Sequence, residues 1–143
     1  MWLVVWMVSM ASCGIEVRTL EYPSGQTAER SRWRQGVRDG RWVQWFPNGQ
    51  MERDVGYSDG VADGPWSFWV ENGTLVMSGA FVNARREGAW TEWYPSGTMR
   101  SQGAYRRGDK AGAWRYFGED GELFFEEAWE QGTRIDARAS APR

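Results

Sequence analysis

The 143-residue sequence contains no histidine and only one cysteine. Without histidine, catalysis by an imidazole base is excluded, and a zinc site of the usual histidine and cysteine type lacks its ligands. The lone cysteine, Cys13, cannot form an intramolecular disulfide. The 17 basic and 19 acidic residues leave a net charge of −2, whereas nucleic-acid-binding domains are usually strongly basic. We therefore predict a protein that is not an enzyme, has no catalytic residues and holds neither a metal nor a cofactor.

Tryptophan and glycine are in excess, with 11 and 18 residues, and most of them recur every 24 positions. No insertion or deletion interrupts this register between Tyr22 and Gly132. A fixed period of this length indicates a repeat architecture in which each unit contacts mainly its neighbours. The aromatic columns are Trp42, Trp66, Trp90 and Trp114; Trp45, Trp69, Trp93 and Phe117; and Trp33, Tyr57, Phe81, Tyr105 and Trp129.

Each unit has the pattern of two short strands and two turns. Pro47-Asn48-Gly49 predicts a type I turn followed by a G1 bulge, and Ser58-Asp59-Gly60 is assigned the same form. Apolar residues alternate with polar ones after the first turn, as in a strand, and no segment shows sustained helical spacing. The prediction is an all-β meander of nine or ten strands. The glycines of the first turn are Gly25, Gly49, Gly73, Gly97 and Gly121.

Two smaller features belong to these turns. Ala84 stands where the other units have glycine, and a positive φ there would be strained for alanine. Asp39, Asp63 and Glu87 recur beside glycine, and we interpret them as turn or edge residues, with calcium binding as the alternative. The pair Arg85-Arg86 is interpreted as solvated turn charge, with contact to anionic lipid headgroups as the alternative.

The segments 40–49 (GRWVQWFPNG) and 88–97 (GAWTEWYPSG) carry the motif Gly-x-Trp-x-x-Trp-aromatic-x-x-Gly. This motif resembles the MORN-repeat variant family, whose bacterial members are often labelled YwqK-like antitoxins. The resemblance covers about residues 22–132. It implies serial antiparallel hairpins in an elongated, single-layer sheet, and repeats that act as interaction scaffolds.

Alternation along a strand places Trp42 and Trp45 on opposite faces of the sheet. We predict that the Trp42 column and the linking column Trp33, Tyr57, Phe81, Tyr105 and Trp129 form a structural ladder. The candidate binding surface is the column of Trp45, Trp69, Trp93 and Phe117. From Gly14 to Gly132 there are 14 basic and 18 acidic residues, a net charge of −4, which argues against nucleic acid.

Residues 1–11 carry no charge and have one polar residue, Ser9; this segment is too short to span a bilayer and matches the apolar core of a signal peptide. Met10-Ala11-Ser12-Cys13 resembles a bacterial lipobox, which implies cleavage before Cys13 and acylation of that residue. The alternative is an N-terminal strand with an ordinary cysteine. The predicted organisation is a signal peptide (1–12), a lipidated Cys13 with a tether (13–20), a domain of about four and a half repeats (21–132) and a disordered tail (133–143).

The leading functional hypothesis is a scaffold, lipid-anchored in the bacterial envelope at an undetermined membrane, that binds an unknown protein partner. A glycan-binding surface protein that stacks sugars on its tryptophan rows is the second hypothesis. An antitoxin that masks a toxin, as the family label implies, is the third.

Overall fold

A computed structural model of the chain describes residues 4–8 and 14–139, all in strands and turns. Within these ranges no helix is long and apolar enough to cross a membrane. The strands are β1 Val4–Val8, β2 Ile15–Glu21, β3 Thr27–Arg34, β4 Val37–Trp45, β5 Met51–Ser58, β6 Val61–Trp69, β7 Leu75–Val82, β8 Arg85–Trp93, β9 Met99–Arg106, β10 Asp109–Phe117, β11 Leu123–Glu130 and β12 Thr133–Ala139.

The twelve strands form one open antiparallel sheet in which spatial order equals sequence order. Each strand pairs only with its neighbours along the chain, so the sheet is a single layer. This confirms the predicted all-β meander. Nine strands, β3 to β11, fall inside the predicted repeat domain, and β1, β2 and β12 extend the sheet beyond it.

The first turn of each unit has the predicted geometry. The amide of Gly49 donates to the carbonyl of Phe46 at 2.9 Å, and the amide of Phe46 donates to the carbonyl of Gln50 at 2.8 Å. Gly49 has a φ of +84°, the left-handed value that a G1 bulge requires. The same bonds recur around Gly25, Gly73, Gly97 and Gly121.

The second turn differs from the prediction. Asp59 and Gly60 have φ values of +46° and +82°, so this is a two-residue type I′ turn and not a type I turn with a bulge. Two-residue hairpins favour type I′ because its twist matches that of the strands it joins. Asn83 and Ala84 occupy the equivalent positions with φ of +49° and +61°, so Ala84 does adopt the strained conformation.

The recurring acidic residues lie inside strands and not in turns, which corrects their predicted place. Asp63 precedes Gly64, a residue with φ of +103°, at a bulge where β6 slips against β5. A carboxylate oxygen of Asp63 accepts the amide of Asn83 at 3.1 Å. Glu87 accepts the amide of Arg107 in the same way at 2.7 Å. Each carboxylate therefore supports the type I′ turn of the following unit.

Both flanks of the repeat domain are more regular than predicted. The tether expected to end at residue 20 is strand β2, which pairs with β3 throughout. The tail expected to be disordered from residue 133 forms β12 and pairs with β11. Backbone pairing with a neighbouring strand needs no repeat motif, which explains why the sequence columns missed these strands. Residues 4–8 pair with β2, whereas Cys13 lies outside the described residues.

Candidate functional site

One face of the sheet, here called the ladder face, carries the rings of the Trp42 column and of the linking column. Trp90 packs edge-on against Phe81 and Tyr105, with ring centroids 5.3 and 5.8 Å apart. Tyr105 continues to Trp114 at 5.0 Å. Trp90 and Trp114 are only 3% and 4% exposed. In a sheet with no second layer, these rings supply the apolar burial themselves.

Glycine makes room for the most buried rings. A Cβ on Gly79 would collide with the indole of Trp90, and a Cβ on Gly103 would collide with the indole of Trp114. These glycines belong to a further 24-residue column that was not among the predicted columns. Its members on the ladder face are Ser31, Val55, Gly79, Gly103 and Glu127.

A column of cations covers the ladder rings. The guanidinium of Arg86 lies 4.7 Å from the Trp90 ring centroid and 5.1 Å from that of Tyr105. The ammonium of Lys110 lies 4.5 Å from the Trp114 centroid. The interpretation of Arg86 as solvated turn charge is therefore wrong, because its side chain lies across two rings. The 24-residue spacing from Arg86 to Lys110 was the signal available in the sequence.

Glu127 organises the C-terminal end of the ladder face. Its carboxylate is 9% exposed and accepts hydrogen bonds from Tyr116 at 2.9 Å, Trp129 at 3.0 Å and Arg134 at 3.3 Å. Lys110 lies 3.4 Å away and donates to the Tyr116 hydroxyl at 2.6 Å. Burial acts to raise the pKa of Glu127, but these hydrogen bonds and the charge of Lys110 outweigh it and hold the pKa below its usual value.

The opposite face, here called the strip face, carries the candidate binding column. Trp45 lines a groove of about 340 Å³ with Val17, Arg30 and Val43. The strip residues Trp45, Trp69, Trp93 and Phe117 are half-buried and are paired across the hairpins with Met51, Leu75, Met99 and Leu123. Among the described aromatic pairs, ring contacts join the ladder rings, and none involves a strip ring.

Tyrosines of the preceding units hold the backbone of the strip. The Tyr22 hydroxyl donates to the carbonyl of Trp45 at 2.7 Å, and the Tyr94 hydroxyl donates to the carbonyl of Phe117 at 3.0 Å. Each bond links one hairpin to the next. The backbone of the strip is therefore tied to the preceding hairpin at Trp45 and at Phe117, whereas the residues equivalent to these tyrosines before Trp69 and Trp93 are Phe46 and Val70, which have no hydroxyl.

Beside the strip, the middle of this face is a floor of small, uncharged residues. Ser67, Ser78, Thr91 and Gln102 are paired in one row across β6 to β9. In the adjacent row Pro65 pairs with Ala80 and Ala89 pairs with Ala104, and the one charged residue paired into this row is Glu87, opposite Ala80. The small side chains of the floor are too short to cover the neighbouring rings, so the face offers a shallow aromatic ridge beside a flat surface.

Ion pairs delimit this neutral floor. Arg41 pairs with Asp54 at 2.6 Å towards the N-terminal end, and Arg115 pairs with Glu126 at 2.7 Å towards the C-terminal end. In the described part of the chain no three metal-ligating side chains come together. The chemistry available on the floor is apolar contact, ring stacking and hydrogen bonding to hydroxyl and amide groups, whereas Arg30, Arg32 and Arg41 add positive charge to the groove beside Trp45.

Two segments of the chain, residues 38–59 and 86–106, match the family model of the MORN repeat variant. Each matched segment holds a first strand, a type I turn and a return strand, and the segments begin two periods apart. A comparison with curated proteins finds no match. The two matched segments are therefore similar to MORN-variant repeats, and the hairpins between and beside them repeat the same strand and turn pattern.

Proposed function

We propose that this repeat protein is a non-enzymatic scaffold that binds a protein partner across the strip face. The observation that carries the proposal is the contrast between the faces. The aromatic rings of the ladder face contact one another, whereas the rings of Trp69 and Trp93 make no such ring contact and border the uncharged floor. Tryptophan is enriched in binding hot spots, and a shallow, flat surface suits a protein better than a small molecule.

The strip face presents a regular series of rings beside the uncharged floor. Its rings recur on every second strand, and neighbouring strands lie about 4.8 Å apart, so successive rings stand about 10 Å apart. The uncharged floor spans four strands between two ion pairs, and within each pair the positive and negative charges cancel. This pattern favours a partner surface with apolar side chains at its centre and polar groups at its rim.

The test is affinity capture from cell-envelope fractions with the wild type and with a variant in which Trp69 and Trp93 are alanine. The proposal expects discrete partners with the wild type and their loss with the variant. Val82→Ala is the matched control, because Val82 is an exposed apolar residue beside a type I′ turn and away from the strip. Equal capture by all three proteins would contradict the proposal.

A glycan ligand is the second candidate, and the serine, threonine and glutamine row beside the tryptophans favours it. Sugars stack on flat rings and hydrogen bond to such side chains. A panel of soluble polysaccharides separates the candidates. A glycan partner predicts saturable quenching of tryptophan fluorescence that the Trp69/Trp93 variant lacks, whereas a protein partner predicts no response to any polysaccharide.

We also propose that the scaffold is anchored to the envelope by acylation of Cys13. The apolar segment before this residue, and the small residues next to it, support that proposal. Cleavage of the chain before Cys13 would remove β1 and leave β2 as the first strand beside the membrane. Metabolic labelling with palmitate tests it: label should enter the wild type and be lost in Cys13→Ser. Equal labelling of both proteins, or none in the wild type, would contradict the anchor.

A further inference from the structure

The cation column of the ladder face has one gap. Arg38, Arg86 and Lys110 are 48 and 24 residues apart, and the intervening position of the same register is Ala62. All four residues follow a type I′ turn at the same distance. Ala62 is paired with Tyr57, as Lys110 is paired with Tyr105 and Arg86 with Phe81. The backbone at Ala62 is therefore placed like that of the three cations.

The cations make the same contacts in their three units. Each lies over the tryptophan four residues ahead of it and over the aromatic ring nineteen residues ahead. For Arg38 the centroid distances are 5.2 Å to Trp42 and 5.4 Å to Tyr57. For Arg86 and Lys110 the corresponding distances lie between 4.5 and 5.1 Å.

At Ala62 the equivalent rings are those of Trp66 and Phe81. They are present and half-buried, with centroids 6.4 Å apart and ring planes at 72°. Among the described side chains no cation lies over either ring. Trp66 and Phe81 therefore form an aromatic pair of the same kind as in the other units, but the cation that covers such a pair in those units is absent here.

Ala62 is partly exposed, and the cations at the equivalent positions reach solvent. The side chains of Arg38 and Lys110 are 33% and 26% exposed, so groups in this column reach the surface. Arg86 and Lys110 stand two strands apart, about 10 Å, and a cation at Ala62 would be the same two strands from Arg86 and from Arg38. A cation at residue 62 would thus stand as far from its neighbouring cations as Arg86 stands from Lys110.

We propose that the gap over Trp66 and Phe81 is a binding site for an arginine or lysine side chain of the protein partner. The chain's own Arg38, Arg86 and Lys110 show what chemistry these aromatic pairs accept. An organic cation over an aromatic face is attracted by the ring quadrupole. The inference rests on the proposed scaffold function for its occupant, and it adds a contact on the face opposite the strip.

The test uses the full chain with small probes and needs no partner. The indole N–H signals in ¹⁵N–¹H spectra are followed during titration with N-acetyl-arginine amide, with N-acetyl-citrulline amide as the neutral isostere. We expect a saturable shift at Trp66 at millimolar concentration, about threefold larger than at Trp42, Trp90 or Trp114, and no such shift with citrulline. Equal shifts at the four tryptophans, or equal shifts with both probes, would overturn the proposal.

Two variants and a third probe complete the test. Ala62→Arg should fill the gap from within and abolish the selective shift, whereas Ala80→Arg adds the same charge to the strip face and should leave it unchanged. A response retained in Ala62→Arg would contradict the site. Binding of tetramethylammonium without binding of the arginine amide would assign the gap to a quaternary ammonium group and overturn the side-chain occupant. The wild-type titration decides the question even if a variant fails to fold. Failure of this test leaves the strip-face capture experiment unaffected.

Discussion

The indole of Trp90 lies directly over the Cα of Gly79, in the space that any side chain at residue 79 would occupy. Trp90 is 3% exposed, so its ring is enclosed by its neighbours. The pair Trp114 and Gly103 repeats this arrangement one unit later. Burial of the ladder in a single-layer sheet therefore depends on the absence of a side chain at two positions.

Gly79→Ala should lower the free energy of unfolding by about 1–3 kcal/mol, because the added methyl group displaces Trp90 from its packed position. Urea unfolding followed by tryptophan fluorescence measures the loss. Ser78→Ala is the control, since Ser78 is on the strip face of the same strand and should change stability by less than about 0.5 kcal/mol. Equal stabilities of Gly79→Ala and the wild type would show that the indole moves freely.

Ala84→Gly should raise stability by up to about 1 kcal/mol, because residue 84 has a φ of +61° that strains alanine and not glycine. Thermal unfolding should show a higher midpoint. Ala89→Gly, within β8, is the matched comparison and should lower the midpoint, since glycine in a strand interior costs about 0.5–1 kcal/mol. A lower midpoint for Ala84→Gly would contradict the type I′ assignment.

Glu127→Gln should cost about 1–3 kcal/mol at pH 7, because the neutral amide cannot replace the carboxylate among Lys110, Tyr116, Trp129 and Arg134. The lowered pKa of Glu127 fixes the pH dependence. Its contribution is complete above the ordinary glutamate pKa and is lost as pH falls through the lower value of the folded state.

The measurement for Glu127 is a series of urea unfolding curves from pH 7 to pH 3. The difference in the free energy of unfolding between the wild type and Glu127→Gln should become smaller once the pH falls below about 4. Glu126→Gln on the strip face removes a 39%-exposed carboxylate and should cost less than about 1 kcal/mol at any pH. A difference in free energy of unfolding that stays constant from pH 7 to pH 3 would contradict the role of the ionised Glu127 carboxylate.

The meander and its first turn were predictable because both rest on short-range signals. Asn48-Gly49 after a proline specifies its turn within a few residues, and strict alternation identifies the return strand. The second turn was assigned wrongly because Asp59-Gly60 suits both turn types. The length of the loop between the strands decided it in favour of type I′.

The ladder contacts were harder to predict because they depend on which residues face each other across strands. Bulges at glycines such as Gly88 shift the register within β8 and bring Trp90 over Gly79. A column of 24-residue spacing cannot reveal such a shift. The cation column was visible as Arg38, Arg86 and Lys110, but only the paired register shows that these side chains lie on the ladder face.

In this account the ladder face stabilises the fold and the strip face binds the partner, and one paired measurement tests both roles. Trp90→Ala and Trp93→Ala remove the same side chain from opposite faces of β8, and each variant is examined for stability and for partner capture. Trp90→Ala should lose about 3–5 kcal/mol of stability. Trp93→Ala should lose under about 2 kcal/mol, stay folded and lose the captured partner. A Trp93→Ala protein that unfolds as readily as Trp90→Ala, or that retains every partner of the wild type, would contradict the account.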